Sequence, residues 1–351
     1  MNMLNLLKKI SNRLNFIFYT HSSRYKLRYL YSYDRKRFIR HAGSLHHEEK
    51  EQKLASVIMA YHVVEKGLSM PERRLGFGHD AVLELISLIR NYSEKFPQND
   101  QILHAISVLD AYREMHRKEN FSLRPDLQQA LDSLLADFPP AVKEDGQIEI
   151  TRELYYAHLE SSFPEFSASR HSVRHFNGPV SLEQIERAVS LARNAPSACN
   201  RQHTRVHCIC DKETRKKVLS LQNGNRGFGH LADKLLIITA DLHDIRWEEE
   251  RNDLYTNAGI FLMNLCYALH ANKVAHCLLN WSVSPFRDIL LRKLVSIPDH
   301  ETVICILACG DCPEQFSLAS SPRKPVSEIF NRTPLISSVF TAYNSLYPVT
   351  L

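Results

Sequence analysis

The most informative segment of the chain extends from Ser169 to Thr204 and reads S-R-H-S-V-R-H-F-N-G-P-V-S-L-E-Q-I-E-R-A-V-S-L-A-R-N-A-P-S-A-C-N-R-Q-H-T. It opens with a basic cluster in which Arg170, His171 and Arg174 surround the hydroxyl-bearing Ser172. Guanidinium groups beside a short hydroxyl donor suit a phosphate, which needs both charge and hydrogen bonds. The alternative is a solvated surface, because arginines four residues apart are common on exposed faces.

An amphipathic helix is expected to follow this cluster. Ser181 and Gln184 form a capping box at its start. Apolar residues then recur at helical spacing, namely Leu182, Ile185, Ala188, Val189 and Ala192. Pro196 disfavours helical geometry in the residue before it, so the helix should stop there. A turn rich in polar groups comes next and contains Ser197, Asn200, Arg201 and Gln202. The basic cluster and this turn are both suited to one charged heteroaromatic ligand.

The order R-H-S-V-R-x-F, a helix, then A-P-S-A-x-N-x-Q resembles the nitroreductase family of FMN-dependent oxidoreductases, which work as homodimers. The resemblance extends over roughly residues 169–330. It implies an α+β fold in which an antiparallel-dominated sheet is flanked by helices. Several motifs in the right order are more specific than any one of them.

The resemblance also implies a set of cofactor-binding residues. They are Arg170, His171, Ser172 and Arg174 in the basic cluster, Pro196, Ser197, Asn200 and Gln202 in the turn, Asn280 and Trp281 after a strand, and Arg323 and Lys324 in a late basic segment. Arg170, Ser172, Arg323 and Lys324 would hold the FMN phosphate. Arg174 and the polar turn residues would stabilise negative charge at the N1 and C2-carbonyl end of the ring. By the same likeness, Ser197 and Asn200 would reach the flavin of the partner subunit, and the loop with Asn223 and Asn225 would approach its pyrimidine end.

Three residues at two places in the chain depart from the family pattern. Trp281 stands where a glycine is frequent, and it either stacks on the flavin ring or packs in the core. His203 and Thr204 stand where the family frequently has proline and an aromatic residue, which affects the substrate side of the site. No side chain is expected to act as acid, base or nucleophile, because the flavin carries the chemistry.

The function expected from the resemblance is oxidoreduction. NADH or NADPH would reduce the flavin, and a small electron-poor acceptor such as a nitroaromatic, a quinone or an enone would reoxidise it. The alternative is a non-catalytic flavin-binding regulatory or scaffold protein that acts through its helical N-terminal half.

Composition narrows the class of protein. The chain has 351 residues and a net charge of +5, and much of the excess lies before His41. The remainder is close to neutral, which argues against a nucleic-acid binder. All eight cysteines lie at or after Cys199, a distribution that favours free thiols in a reducing cytoplasm. No run of residues has the length of a membrane span or the features of a signal peptide.

We expect a division into a basic N-terminal arm (1–40), a helical extension (41–140), an FMN-binding domain (150–335) and a C-terminal tail (336–351). The arm carries tyrosines among its cations, and it lies either on an anionic membrane surface or on the protein itself. The Pro139-Pro140 stretch and the acidic residues after it are expected to form a linker. We expect no metal site, although His62 and Glu65 share a helix face and Cys309 and Cys312 have C-x-x-C spacing.

Further elements are predicted from periodicity and caps. Helices are expected at Glu153–Phe166, Lys212–Leu221 and Asn257–His270, and another after Ser284. Strands are expected at Val206–Cys210, Leu235–Ala240 and Val274–Leu279, with a final one at Val303–Cys309. The apolar helix Asn257–His270 would be buried on most sides, at the subunit interface by family likeness.

Overall fold

The computed structural model describes residues 18–140 and 146–333. The predicted C-terminal tail and the first 17 residues of the arm lie outside these ranges. The first half is helical, as predicted. Its helices are α1 (Ser23–His41), α2 (Lys50–Leu68), α3 (His79–Ser93), α4 (Asp100–Lys118) and α5 (Pro125–Asp137). Helices α2 to α5 enclose one apolar core that includes Val57, Leu85, Ile106 and Leu131.

The second half combines helices with two antiparallel sheets. Its elements are β1 (Gln147–Thr151), α6 (Arg152–Tyr155), α7 (Phe163–Ser169), α8 (Leu182–Ala192), β2 (Thr204–Ile209), α9 (Lys212–Leu221), β3 (Lys234–Asp241), α10 (Asp253–Ala271), β4 (Ala275–Asn280), α11 (Pro285–Val295), β5 (Glu301–Gly310), β6 (Gln315–Ala319) and α12 (Val326–Ile329). The main sheet has the order β2-β3-β5-β4 with every neighbouring pair antiparallel. The predicted α+β class is therefore confirmed.

Strand β3 lies at the centre of this half because both of its faces are covered. Leu235 and Ile237 pack with helices α9 and α11, whereas Leu236 and Ile238 pack with helices α8 and α10. A strand buried on both faces needs a continuous apolar run, and L-L-I-I in β3 provides one. The sheet thus separates two helical layers.

The N-terminal arm is attached to the second half by ion pairs. Helix α1 has no buried residue. Lys26 Nζ lies 2.6 Å from Glu249 Oε1, and Arg251 Nε lies 2.6 Å from Asp34 Oδ2. The described part of the arm therefore contacts the protein itself. Across the described ranges, none of the helices has both the length and the apolar character that crossing a membrane requires.

The prediction that Val303–Cys309 forms the final strand is wrong. A second, two-stranded sheet pairs β1 with β6 from Gln147↔Ala319 to Thr151↔Gln315, and β6 follows β5 in the chain. Of the stretch after Pro140 that was expected to form a linker, residues 141–145 lie outside the described residues. Both strands of this small sheet have only five residues, and their pairing is distant in the sequence, so local periodicity does not reveal it.

The predicted helix Glu153–Phe166 is also wrong, because two short helices occupy this region. Helix α6 ends at Tyr155, and a new capping box of Ser162 and Glu165 starts helix α7. Pro164 lies in the first turn of α7, where a missing backbone N–H leaves no hydrogen bond unmade. The chain therefore restarts its helix where the sequence pattern predicted a continuous one.

The other predicted helices and strands are confirmed. The Ser181 hydroxyl accepts a hydrogen bond from the Gln184 N–H at 3.1 Å, although helix α8 ends at Ala192, ahead of Pro196. Helix α10 is less buried than predicted, since Ile260 is 41% and Met263 is 39% exposed in the single chain. The location of this face at a subunit interface stays a prediction.

Candidate cofactor site

The basic cluster lies beside the edge strand β4. The Val173 N–H donates to the His276 carbonyl at 2.9 Å, and the Tyr155 hydroxyl donates to the His171 carbonyl at 3.2 Å. At the start of the cluster, Ser169 Oγ lies 2.9 Å from His270 Nε2 at the end of helix α10. These contacts fix the backbone of the cluster, so its side chains have a defined position next to β4.

Arg170, His171 and Arg323 lie close enough to interact electrostatically. Burial lowers the pKa of His171, and the positive charges of Arg170 and then Arg323 lower it further. The structure therefore brings together the predicted first and last basic segments. Ser172 lies half-buried in the same segment.

Arg174 is buried next to the same strand. Its side chain is 9% exposed, and its guanidinium carbon lies 5.9 Å from the centre of the Phe228 ring. The thiol of Cys277 on β4 lies close to several cations. Burial raises the pKa of that thiol, while the charges of Arg174, Lys66 and Arg170 lower it. The charges of Lys66 on helix α2 and of Arg170 and Arg174 in the basic cluster thus act on the same thiol of β4.

The charges of this cluster are not neutralised by the protein. Within residues 18–140 and 146–333, no carboxylate oxygen lies within 4.0 Å of a side-chain nitrogen of Arg170 or Arg174. The Arg170 Nε atom is moreover buried without a hydrogen-bond partner. Arg201 is a contrasting case, since its Nη1 lies 2.7 Å from Glu250 Oε2. A buried, unpaired cation is costly, so the arrangement suits an anionic ligand.

The late basic segment is held in place by the helical half. Ser321 has φ +45°, a left-handed conformation that is unfavourable for a serine. Its N–H donates to Glu65 Oε1 at 3.1 Å, and its hydroxyl donates to Glu65 Oε2 at 3.3 Å. Arg323 is exposed and donates to the Ser321 carbonyl at 2.7 Å. Lys324 Nζ lies 3.6 Å from Glu328, which partly neutralises it.

Sequence reasoning missed this role of Glu65. Its carboxylate is fully buried and also lies 2.6 Å from His104 Nε2 and 3.0 Å from His62 Nδ1. Burial by itself would raise the pKa of Glu65, but the hydrogen bonds from His104 and His62 lower it to about 2. His62 and Glu65 thus belong to an internal hydrogen-bond network. A charged residue between Val64 and Leu68 on an apolar helix face was the available signal.

The predicted polar turn has a strained backbone. Cys199, Asn200 and Gln202 all have positive φ angles, between +51° and +56°. The Ser197 hydroxyl accepts from the Gln202 N–H at 3.0 Å, and the Ala198 N–H donates to Asn257 Oδ1 at 3.1 Å. Strained conformations persist where the surroundings enforce them, and they cluster at functional sites. Pro196 precedes this turn and is exposed.

In one chain, the turn and the basic cluster lie at opposite ends of helix α10. Asn257 contacts the turn, whereas His270 contacts Ser169. At a rise of 1.5 Å per residue, the two contact points are about 20 Å apart. A single protomer therefore does not bring Ser197 and Asn200 to Arg170. Their contribution to the partner's site stays a prediction.

Of the residues that depart from the family pattern, Trp281 and His203 are buried and Thr204 is half-buried. Trp281 is 9% exposed, and its Nε1 donates to Asp288 Oδ1 at 2.9 Å. These contacts support core packing for the indole. His203 is fully buried in the single chain. Asn280 is exposed, and its Nδ2 donates to Ser282 Oγ at 2.7 Å.

The glycine-containing loop 223–229 is tied to the end of β4. Gln222 Nε2 donates to the Asn280 carbonyl at 3.0 Å, a link that the sequence did not reveal. The Asn225 amide donates to Leu219 O and Gln222 O, so it holds the loop itself together. The Asn223 side chain accepts a hydrogen bond from Arg287. In the protein as described, both asparagines therefore have internal partners.

Residues 168–225 match the model of the Nitroreductase family. This match confirms the predicted resemblance over the segment that contains the basic cluster, helix α8 and the polar turn. No curated protein matches the chain.

Several solved structures are similar to about half of the chain. One is B. megaterium NfrA2, with 21% identity over 52% of this chain and 79% of that chain, at a TM-score of 0.42. Another is a nitroreductase family protein from Streptococcus pneumoniae TIGR4, with 20% identity over 49% of this chain and 100% of that chain, at a TM-score of 0.42. A third is a nitroreductase-like protein from Streptococcus mutans, with 17% identity over 49% of this chain and 98% of that chain, at a TM-score of 0.42.

Proposed function

Because residues 168–225 match the Nitroreductase family, we propose that the chain is an FMN-dependent oxidoreductase. The general function that the family match supports is that of a nitroreductase-type oxidoreductase. In the fuller proposal, NADH or NADPH reduces the flavin, and an electron-poor organic acceptor such as a nitroaromatic, a quinone or an enone then reoxidises it.

The observation that carries the proposal is the cluster of cations without counterions beside strand β4. Arg170, Arg174 and Arg323 have no carboxylate within 4.0 Å among the residues that the structure describes. A phosphate monoester carries a charge of about −1.5 to −2 at neutral pH, so it would neutralise much of this excess. Hydrogen bonds to a charged group are also stronger than those between neutral groups.

Each segment has a separate role in the proposed site. Arg170, Ser172, Arg323 and Lys324 would hold the phosphate, with His171 beside them. Arg174 would lie at the ring, where a cation stabilises negative charge at N1 and the C2 carbonyl. Bound FMN supplies the redox chemistry, and the protein supplies binding, orientation and electrostatics.

The proposed enzyme is a homodimer with shared sites. The turn with Pro196, Ser197, Asn200 and Gln202 is too far from Arg170 in its own chain, and it would serve the flavin of the partner subunit. Its strained, hydrogen-bonded backbone suits a preorganised contact. The backbone around Asn280 would approach the flavin ring, while the Trp281 side chain packs inside.

Anaerobic reduction tests the enzymatic part of the proposal. The full chain is loaded with FMN, and the flavin absorbance is followed after addition of NADH or NADPH. Bleaching that is reversed by a quinone or a nitroaromatic is the expected result. A flavin that binds but stays oxidised with both nucleotides would instead indicate a non-catalytic binding protein.

Substitution of Arg170 tests the site. Arg170→Ala should weaken FMN binding by about 2 kcal/mol or more, because charge-assisted hydrogen bonds to the phosphate are lost. The matched control is Arg193→Ala, since Arg193 is exposed at the end of helix α8. Wild-type FMN affinity in Arg170→Ala would remove this residue from the site.

A further inference from the structure

The end of helix α2 contacts three segments of the second half, namely the two basic segments of the proposed FMN site and the glycine-containing loop 223–229. The Ser69 carbonyl accepts from His175 Nε2 in the basic segment at 2.8 Å. Glu65 accepts from Ser321, where the late basic segment begins. Met70 lies against the glycine loop, since a Cβ on Gly227 would be 3.2 Å from its sulfur. Helix α2 therefore forms a wall of the same site.

Lys66 lies on the face of α2 that makes these contacts. On a helix, residues three and four positions apart are neighbours on one face. Ser69, which caps the helix, is the neighbour towards the C-terminus, and His62 is the neighbour one turn back, with its Nδ1 3.3 Å from Ser321 Oγ. Lys66 is half-buried between them and thus faces the predicted site.

The charge of Lys66 has no counterion in the protein as described. No carboxylate oxygen of the described ranges lies within 4.0 Å of its Nζ. The adjacent Glu65 carboxylate is used by His104, His62 and Ser321. Burial lowers the pKa of Lys66, and the nearby charge of Arg174 lowers it further. An anion placed between Lys66 and Arg174 would attract both cations and so offset their mutual repulsion.

We propose that helix α2 completes the FMN site by supplying Lys66 as a second cation beside Arg174, so that the helical half is part of the cofactor-binding unit. This inference rests on the proposed function. Arg170 and Arg323 are assigned to the phosphate, whereas Lys66 is assigned with Arg174 to the ring end, where both cations would attract negative charge on the flavin. Lys66 therefore stabilises the bound flavin, and it stabilises the reduced form most.

The test compares Lys66→Met with wild type in three measurements on the full chain. FMN affinity should fall about tenfold or more, as expected for one charge-assisted contact. The midpoint potential of bound FMN should become more negative, because reduced flavin loses a cation. The unfolding free energy of the apoprotein should stay the same or rise, because an unpaired half-buried charge has been removed.

Two further variants make the result specific. Lys50→Met is the matched control, because Lys50 is exposed at the other end of the same helix, and it should leave all three measurements unchanged. Lys66→Arg keeps the charge and should restore most of the FMN affinity.

The outcomes distinguish this inference from the proposed function. If Arg170→Ala weakens FMN binding while Lys66→Met leaves both affinity and potential at wild-type values, the inference about α2 is wrong and the proposed function stands. If wild-type protein does not bind FMN, the proposed function fails first. Strong destabilisation of the Lys66→Met apoprotein would show that Lys66 has only a structural role, and it would also overturn the inference.

Discussion

Replacement of Glu65 by glutamine tests how the two halves of the chain are joined. The carboxylate is fully buried and receives hydrogen bonds from His104, His62 and Ser321. Its pKa falls from 4.5 to about 2 in the folded protein, which corresponds to about 3 kcal/mol of stability at neutral pH. In Glu65→Gln, an NH2 group replaces one carboxylate oxygen. This NH2 group can only donate hydrogen bonds, but the groups that surround it are donors as well.

The direction of the pH dependence follows from the lowered pKa. The stabilising contribution is complete above pH 4.5, and it is lost as the pH falls towards 2 and the folded carboxylate becomes protonated. The difference between wild type and Glu65→Gln should therefore be largest near neutral pH and should shrink in acid.

Urea unfolding of both proteins over this pH range measures the effect. Glu51→Gln is the matched control, because Glu51 is an exposed carboxylate on the same helix. The Glu65 variant should also bind FMN more weakly, since Ser321 loses the group that enforces its left-handed backbone. Equal unfolding free energies for wild type and Glu65→Gln at neutral pH would show that the hydrogen-bonded Glu65 carboxylate does not stabilise the fold.

Three further predictions concern single side chains. Trp281→Phe should lose about 1 kcal/mol of stability with the hydrogen bond to Asp288 and keep wild-type FMN affinity; a large loss of affinity would instead favour stacking on the flavin. Burial above all lowers the pKa of His276 to about 4. The wild type should therefore lose about 1.4 kcal/mol of stability per pH unit as the pH falls from 6.5 towards 4. In urea unfolding, the stability of His276→Gln should depend less on pH in this range. Cys199 and Cys210 are the exposed thiols among the described residues. If FMN binds in a site shared by two subunits, it should slow the modification of Cys199 by a thiol reagent but not that of Cys210. Equal slowing of both thiols, or of neither, would contradict the shared site.

The sequence alone predicted those helices and strands whose position depends on neighbouring residues, such as a helix cap or a continuous apolar run. The capping box of Ser181 and Gln184 located helix α8, and the apolar run in β3 identified the central strand. The pairing of β1 with β6 was not predictable in this way, because Gln147 and Ala319 are joined by tertiary structure alone. Local pattern likewise suggested one helix across Glu153–Phe166, although the Ser162 cap started a second one.

The candidate site was predictable only in part. The motifs identified Arg170, Arg174 and Arg323; the charges of Arg170 and Arg174 act on Cys277 of β4, and that of Arg323 acts with Arg170 on His171. Lys66 and Glu65 lie more than 100 residues earlier in the chain, in a helix outside the resemblance, so no motif pointed to them. The orientation of the Trp281 indole depends on its contact with Asp288, which the sequence alone left open.

Comparison of FMN with riboflavin tests the central claim most directly, because the two flavins differ only in the phosphate. The affinity of the full apoprotein for each is measured by titration, with wild type and Arg170→Ala side by side. We expect wild type to prefer FMN by about 2 kcal/mol or more and Arg170→Ala to lose most of this preference. Equal wild-type affinity for FMN and riboflavin would contradict the claim that the cations beside β4 bind a flavin phosphate.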